Sequence, residues 1–286
     1  MSTFQQHLQR MFILVAVFLL PMTTSLRAQQ LPDPHFEDWS GSKFDGKEQL
    51  KNWNASNVEQ LSFKFNFAHK EAGRSGYCMM VQDQDVGAAG ITETSPGYFS
   101  LGQPWVYLES LTKISEATAG TAGGISWNHR PDSMSVWIKR TGSNIDKEDF
   151  YLLYYAWSGT AVGNKFKGKN GKCTSVTKQD EESDVRYELN GNECGTVTKA
   201  NQIAEGMWRE RKQYGNWTNI RVPIYYFNSD APTKMNIIFS ASNYPNYRAN
   251  SGLYAGNSLY VDDVELIYSS KIQKLFIKGK DGVEKE

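Results

Sequence analysis

Short runs in which apolar and polar residues alternate, cut apart by glycine, asparagine, serine and proline, dominate this chain and leave little room for helices. In residues 62–67, Phe63, Phe65 and Phe67 fall on one side. Met134, Val136 and Ile138 alternate with Ser135, Trp137 and Lys139; Ile220, Val222 and Ile224 repeat the pattern, as do Met235, Ile237 and Phe239. A period of two is that of a strand with one buried face. Residues 150–157 are apolar or aromatic on both faces and predict an inner strand. The breaks carry turn residues, as in Gly120-Thr-Ala-Gly-Gly124, Thr141-Gly-Ser-Asn144 and Asn228-Ser-Asp230. The one tolerable helical window is 201–213, and Gly206 weakens it. Many short strands with turn punctuation predict an all-β protein, an antiparallel two-sheet β-sandwich of jelly-roll type.

Composition agrees with a folded chain: 286 residues are 40% hydrophobic and 22% charged. Lys and Arg total 31 against 31 Asp and Glu, so there is no basic excess to hold nucleic acid, which is not expected as a partner. Aromatic residues, at 13%, suit β-structure or recognition by ring stacking.

The N-terminus has the layout of an export signal. A polar stretch ends in Arg10, residues 11–20 are apolar, and a small or polar stretch closes on Ala28. The apolar run is too short to cross a bilayer. Residues 1–28 are therefore read as a signal peptide and 29–268 as one domain with no span. Residues 269–286 are read as an extra strand or the start of a following module. The protein is expected to be periplasmic, outer-membrane-associated or secreted. Export permits disulfides, and Cys173 and Cys194 bracket a polar stretch that a bond between them would close as an insertion. Cys78, in the apolar segment 76–81, reads as a buried free thiol.

Two segments near the ends of the mature chain pair up: Leu31-Pro-Asp-Pro-His-Phe-Glu-Asp-Trp39 and Leu259-Tyr-Val-Asp-Asp-Val-Glu-Leu266. On the last segment Asp262, Val264 and Leu266 share one face of a regular strand, which directs Asp262 toward the core, where a carboxylate needs a partner or a cation. This pairing resembles the carbohydrate-binding jelly rolls of the galactose-binding-like class. The resemblance implies that the terminal strands lie together and that Glu37 and Asp262, with Asp33, hold a structural calcium ion; two carboxylates and loop carbonyls suit that ion.

The order of several further blocks extends the likeness over most of residues 31–270: Ile125-Ser-Trp-Asn-His-Arg-Pro131, Tyr151-Leu-Leu-Tyr-Tyr-Ala-Trp157, Asp180-Glu-Glu-Ser-Asp-Val-Arg186, Trp217-Thr-Asn-Ile-Arg-Val-Pro-Ile-Tyr225 and Asn236-Ile-Ile-Phe-Ser-Ala-Ser-Asn243. Together they resemble the putative carbohydrate metabolism domain of exported Bacteroidetes proteins, which implies a jelly roll and a link to glycans.

A pyranose is held by an aromatic ring against its C–H face, with polar side chains on its hydroxyls. Trp127, His129, Arg130, Trp137, Tyr155 and Trp157 are the candidate sugar-binding residues. Trp137 is expected to face outward, and Tyr151, Tyr155 or Trp157 joins it if the neighbouring strand has suitable register. No nucleophile elbow, zinc-protease motif or phosphate loop appears. The Glu-x-Asp-x-x-Glu strand of laminarinase-type jelly rolls is also absent. The sequence thus points to an exported, non-catalytic module that binds carbohydrate. The alternatives are a glycoside hydrolase or lyase using a carboxylate pair, or a structural or adhesive surface protein.

Overall fold

A computed structural model describes residues 29–60, 63–88, 90–107, 118–158, 165–167, 173–175, 201–242, 253–268, 277–278 and 284–285. Twelve strands build its two main sheets: β1 (Asn54–Ala55), β2 (Ala68–Ala72), β3 (Tyr77–Gln82), β4 (Tyr98–Ser100), β5 (Ile125–Ser126), β6 (Ser133–Thr141), β7 (Phe150–Ser158), β8 (Asn201–Glu210), β9 (Tyr214–Pro223), β10 (Tyr225–Tyr226), β11 (Lys234–Ser240) and β12 (Ser258–Ile267). The seven-stranded sheet runs β10-β8-β7-β11-β4-β1, with β5 beside β4 on the same edge of β11; the five-stranded sheet runs β9-β6-β12-β3-β2. All the pairings are antiparallel.

The core between the sheets follows from the period of two. Met134, Val136 and Ile138 of β6 meet Leu152, Tyr154 and Ala156 of β7 and Met235, Ile237 and Phe239 of β11 in one cluster. Phe99 packs at 5.5 Å from Phe36, 5.5 Å from Trp53 and 5.2 Å from Phe239. The inner-strand reading of β7 is correct, since its residues from Phe150 to Trp157 are all buried. Its odd-numbered residues Tyr151, Leu153, Tyr155 and Trp157 form a second layer with Tyr98 and Ile238 on the opposite face of the sheet.

The two ends of the domain lie side by side. Gln30 donates to the Leu266 carbonyl (2.8 Å) and accepts from its N–H (3.0 Å), and the Val264 N–H reaches the Pro34 carbonyl at 2.8 Å. Phe36 and Val264 enter the same core.

The structure decides one open window and changes one expectation. Residues 201–210, within the one window that tolerated a helix, form strand β8. Gly206 fits there because a Cβ would sit 2.9 Å from the Pro223 carbonyl oxygen, so close approach, not helix weakness, accounts for it. The changed expectation concerns Asp262. Ser135 pairs with Glu265 but Trp137 pairs with Asp262, so β12 carries an extra residue there, and Asp263 has a φ of 45°. Such a bulge reverses the phase of the strand. Leu259 and Val261 face the core before it, and Val264 and Leu266 after it. Asp262 therefore stands beside Trp137 on the outer face rather than pointing inward.

Residues 1–28 and Cys194 lie outside the described residues, as do 180–186, so the signal peptide and the Cys173–Cys194 bond have no structural counterpart here. Among the described residues no disulfide is present, and Cys78 is free and buried. No helix among them is long and apolar enough to cross a membrane.

Candidate functional site

Stacking against a sugar requires an accessible ring, and the structure sorts the six candidate sugar-binding residues by that test. Trp127 is 2% exposed and lies in the main core. His129 is wedged between Trp127 (5.9 Å) and Tyr268 (6.2 Å). The Arg130 guanidinium lies 3.9 Å over the Tyr226 ring and donates to the carbonyls of Asn228 and Asp230. These three hold one end of the sandwich together.

Tyr155 and Trp157, at 2% and 1% exposure, belong to the buried layer on the outer face of the seven-stranded sheet. Trp137 is half-buried on the outer face of the five-stranded sheet, between core residues Val136 and Ile138. The outward orientation expected for Trp137 is correct, but the shared platform with Tyr151, Tyr155 or Trp157 is not formed. Strands β6 and β7 follow one another in the chain yet enter different sheets. Their outward rings consequently face opposite directions.

What surrounds Trp137 is a different set of rings. Asn219 of β9 and Asp262 of β12 are its cross-strand partners. Trp217 of β9 and Tyr260 of β12, both half-buried, meet edge to face at 6.5 Å. Lys139, two residues beyond Trp137, lies between them, its ammonium 4.1 Å from the Tyr260 ring centre and 5.3 Å from that of Trp217. Cation–π attraction holds the lysine against the rings. The Arg74 guanidinium lies 3.6 Å over Trp137 and is tied to Asp263, which also binds His35 at 2.6 Å. The exposed Asn219 amide reaches Ser135 Oγ at 2.9 Å. The result is an open sheet face that carries three rings among polar and basic side chains.

The proposed calcium ligands adjoin this face. Glu37 and Asp262 both close on the turn from Gly73 to Gly76. Glu37 Oε1 accepts the Tyr77 N–H at 2.9 Å, and Asp262 Oδ2 accepts the Arg74 N–H at 2.7 Å. Asp262 Oδ1 accepts its neighbour's N–H at 2.8 Å. The glycines leave room for the carboxylates: a Cβ at Gly73 would lie 2.7 Å from Asp262 Oδ2, and one at Gly76 2.1 Å from Glu37 Oε1. Asp262 is 1% exposed, and burial raises its pKa, with the Arg74 N–H acting in the other direction. Asp33 is turned elsewhere. Its carboxylate caps the N–H groups of Glu37 (3.0 Å) and Asp38 (3.1 Å), and its carbonyl accepts from Phe36 (3.3 Å). Glu37 and Asp262 thus both hold backbone N–H groups of the same turn, whereas Asp33 shapes the loop that presents Glu37. Among the described residues no cluster of three or more His, Cys, Asp or Glu suits a metal ion.

Sequence reasoning passed over Lys139, Tyr260 and Arg74. Lys139 and Tyr260 were readable as outward residues of alternating strands; that β6 lies between β9 and β12 was not.

No family model matches the chain. No curated protein matches it either. Solved structures do resemble it. A putative glycoside hydrolase from Bacteroides thetaiotaomicron has a TM-score of 0.49 at 16% identity, covering 83% of this chain and 71% of its own. A putative glycoside hydrolase from Bacteroides vulgatus has 0.47 at 14%, covering 85% and 96%. The C-terminal family 22 carbohydrate-binding module of Clostridium thermocellum Xyn10B has 0.30 at 12%, covering 84% and 100%. At such identities and scores these likenesses carry no weight for function.

Proposed function

We propose that this chain is an exported, non-catalytic carbohydrate-binding module of jelly-roll type, and that the glycan lies on the outer face of the five-stranded sheet. The observation that carries the reading is the grouping of Trp137, Trp217 and Tyr260, all half-buried, on one open sheet face. Trp217 and Tyr260 offer apolar ring surface to the C–H face of a pyranose, and Trp137 does so once the Arg74 guanidinium over it is displaced. Ser135, Asn219 and Lys139 stand close enough to meet hydroxyl groups. The nearby acids are already engaged, Asp262 by backbone N–H groups and Asp263 by Arg74 and His35, which favours binding over hydrolysis.

Calcium held by Glu37 and Asp262 completes the proposal. It would offset two carboxylates that close on one turn and would tie the N-terminal loop to the last strand beside Trp137. Calcium is expected to raise the melting temperature, and Glu37→Gln to remove that rise.

Isothermal titration of residues 29–286 against a broad glycan panel tests the function. Binding is expected, with at least a tenfold loss for Trp217→Ala or Trp137→Ala and unchanged far-ultraviolet dichroism. Absence of binding across the panel, or release of reducing sugar from a bound glycan, overturns the reading.

A further inference from the structure

Two acidic side chains at one end of the sandwich are buried close together. Asp83 is 0% exposed and Glu148 2%. Asn257 joins the two: its side-chain amide donates to Glu148, and its backbone carbonyl accepts the Asp83 N–H at 2.9 Å. Each is otherwise surrounded by donors. Asp83 Oδ1 accepts the Gly97 N–H (2.8 Å) and the Ser242 hydroxyl (3.0 Å). Glu148 accepts the Tyr254 N–H at 3.1 Å and the Asn257 side-chain amide. No donor among the described residues reaches Asp83 Oδ2, although it is fully buried.

The position matters because three connections between the sheets meet there. The chain passes from β3 to β4 through Asp83 and Gly97, from β6 to β7 through Gly142 and Glu148, and from β11 to β12 through Ser242 and Asn257. Backbone bonds join the same points: the Asp83 N–H to the Asn257 carbonyl at 2.9 Å, and the Gly256 N–H to the Asp83 carbonyl at 2.8 Å. Asn257 also accepts the Asn144 N–H at 3.2 Å.

Two ionised carboxylates close together inside a protein repel strongly. The charged groups around them are few. Arg140, 0% exposed, donates to the carbonyls of Glu148 (2.8 Å), Ile145 (3.0 Å) and Lys212 (3.3 Å), and offsets one negative charge. Asp149, beyond Arg140, pairs with the exposed Arg209 at 2.8 Å and the exposed Arg211 at 3.1 Å. Asp146 and Lys147 on the β6–β7 connection are exposed. Asp85, beyond Asp83, bonds Thr94. Within the buried trio of Asp83, Glu148 and Arg140 one negative charge is left over. A calcium ion in that gap would need six to eight oxygens, but the neighbours supplied by these loops are N–H and O–H donors.

We propose that Asp83 and Glu148 share a single proton, forming a buried latch that joins the three inter-sheet connections and loosens when that proton is lost. Burial raises the pKa of both groups, Asp83 well above the usual carboxylate range, and for Asp83 the nearby Glu148 adds to the effect. The folded protein therefore holds a proton that the unfolded chain releases. Stability is complete below the unfolded carboxyl pKa and is lost as pH rises toward the raised folded value.

The experiment is chemical denaturation of residues 29–286 at about pH 5 and about pH 8, with Asp83→Asn and Glu148→Gln beside the wild type. One retained proton makes the unfolding constant rise up to about tenfold per pH unit within the titration window. Either amide replaces the shared proton with a fixed N–H donor, so the expected result is a shallower pH dependence in the variant. Infrared spectra of the wild type in heavy water should show a protonated carboxyl band at about pH 7, which needs no variant to fold. Equal pH slopes in wild type and variants, or absence of that band, overturn the proposal. So does calcium that stabilises the wild type but not Asp83→Asn, since a metal ion would then occupy the gap.

Discussion

Gly46 and Gly76 offer a controlled measurement of what the Glu37 carboxylate contributes to closing the N-terminal loop on the sheet. Both glycines have left-handed backbones, φ +75° and +72°. A Cβ at Gly46 would meet nothing within 4 Å; one at Gly76 would lie 2.1 Å from Glu37 Oε1 and 2.6 Å from its Cδ. Gly46→Ala should therefore cost backbone strain alone, about 1–2 kcal/mol. Gly76→Ala carries the same strain and must also expel the carboxylate, which loses its 2.9 Å bond from the Tyr77 N–H. A solvent-facing bond of that kind adds about 1 kcal/mol, so the expected total is about 2–3 kcal/mol. Urea denaturation gives both values on one scale. In a Glu37→Ala background the extra cost should vanish and the two substitutions become equal. Equal costs in the wild-type background, or an extra cost that survives removal of Glu37, would refute the idea that Glu37 is seated on this turn.

Phe99→Ala should cost about 3–5 kcal/mol in the same assay, because the ring is fully buried and touches Phe36, Trp53 and Phe239. Arg140→Met should cost at least about 3 kcal/mol, since it strips three backbone carbonyls of a charged donor and leaves Glu148 and Asp83 uncompensated; Arg140→Lys should recover only part of this, which comparison of the two midpoints will show. Cys78 should resist thiol reagents until the protein unfolds. Burial, with smaller help from Asp262, pushes its thiol up to about 12, and the sulfur is inaccessible; colorimetric thiol titration with and without denaturant reads this directly.

Where each side of a strand had one fate, the sequence was readable. Met134, Val136 and Ile138 needed only the period of two to be placed in the core, and Trp137 to be placed outside it. The run from Phe150 to Trp157 signalled burial on both faces without knowledge of its neighbours. Local rules fell short at three places. The window 201–213 held helix-compatible residues, but its pairing with Phe150–Ser158 made Asn201–Glu210 a strand. The bulge at Asp262 and Asp263 moved Asp262 to the outer face, and nothing in a regular alternation announces an inserted residue. Tyr155 and Trp157 could not be separated from Trp137 until the sheet membership of β6 and β7 was known.

The sequence by itself determined the class of fold and the composition of the core strands, because side-chain alternation is set by backbone geometry within a single strand; the nearness of the two ends was implied by the family resemblance alone. Only the tertiary structure decided which rings share a face, that Trp217, Tyr260 and Lys139 gather beside Trp137, and that Asp83 comes close to Glu148. Those neighbours come from distant segments of the chain, and strand order and register, which bring them together, arise from packing between sheets rather than from any local preference.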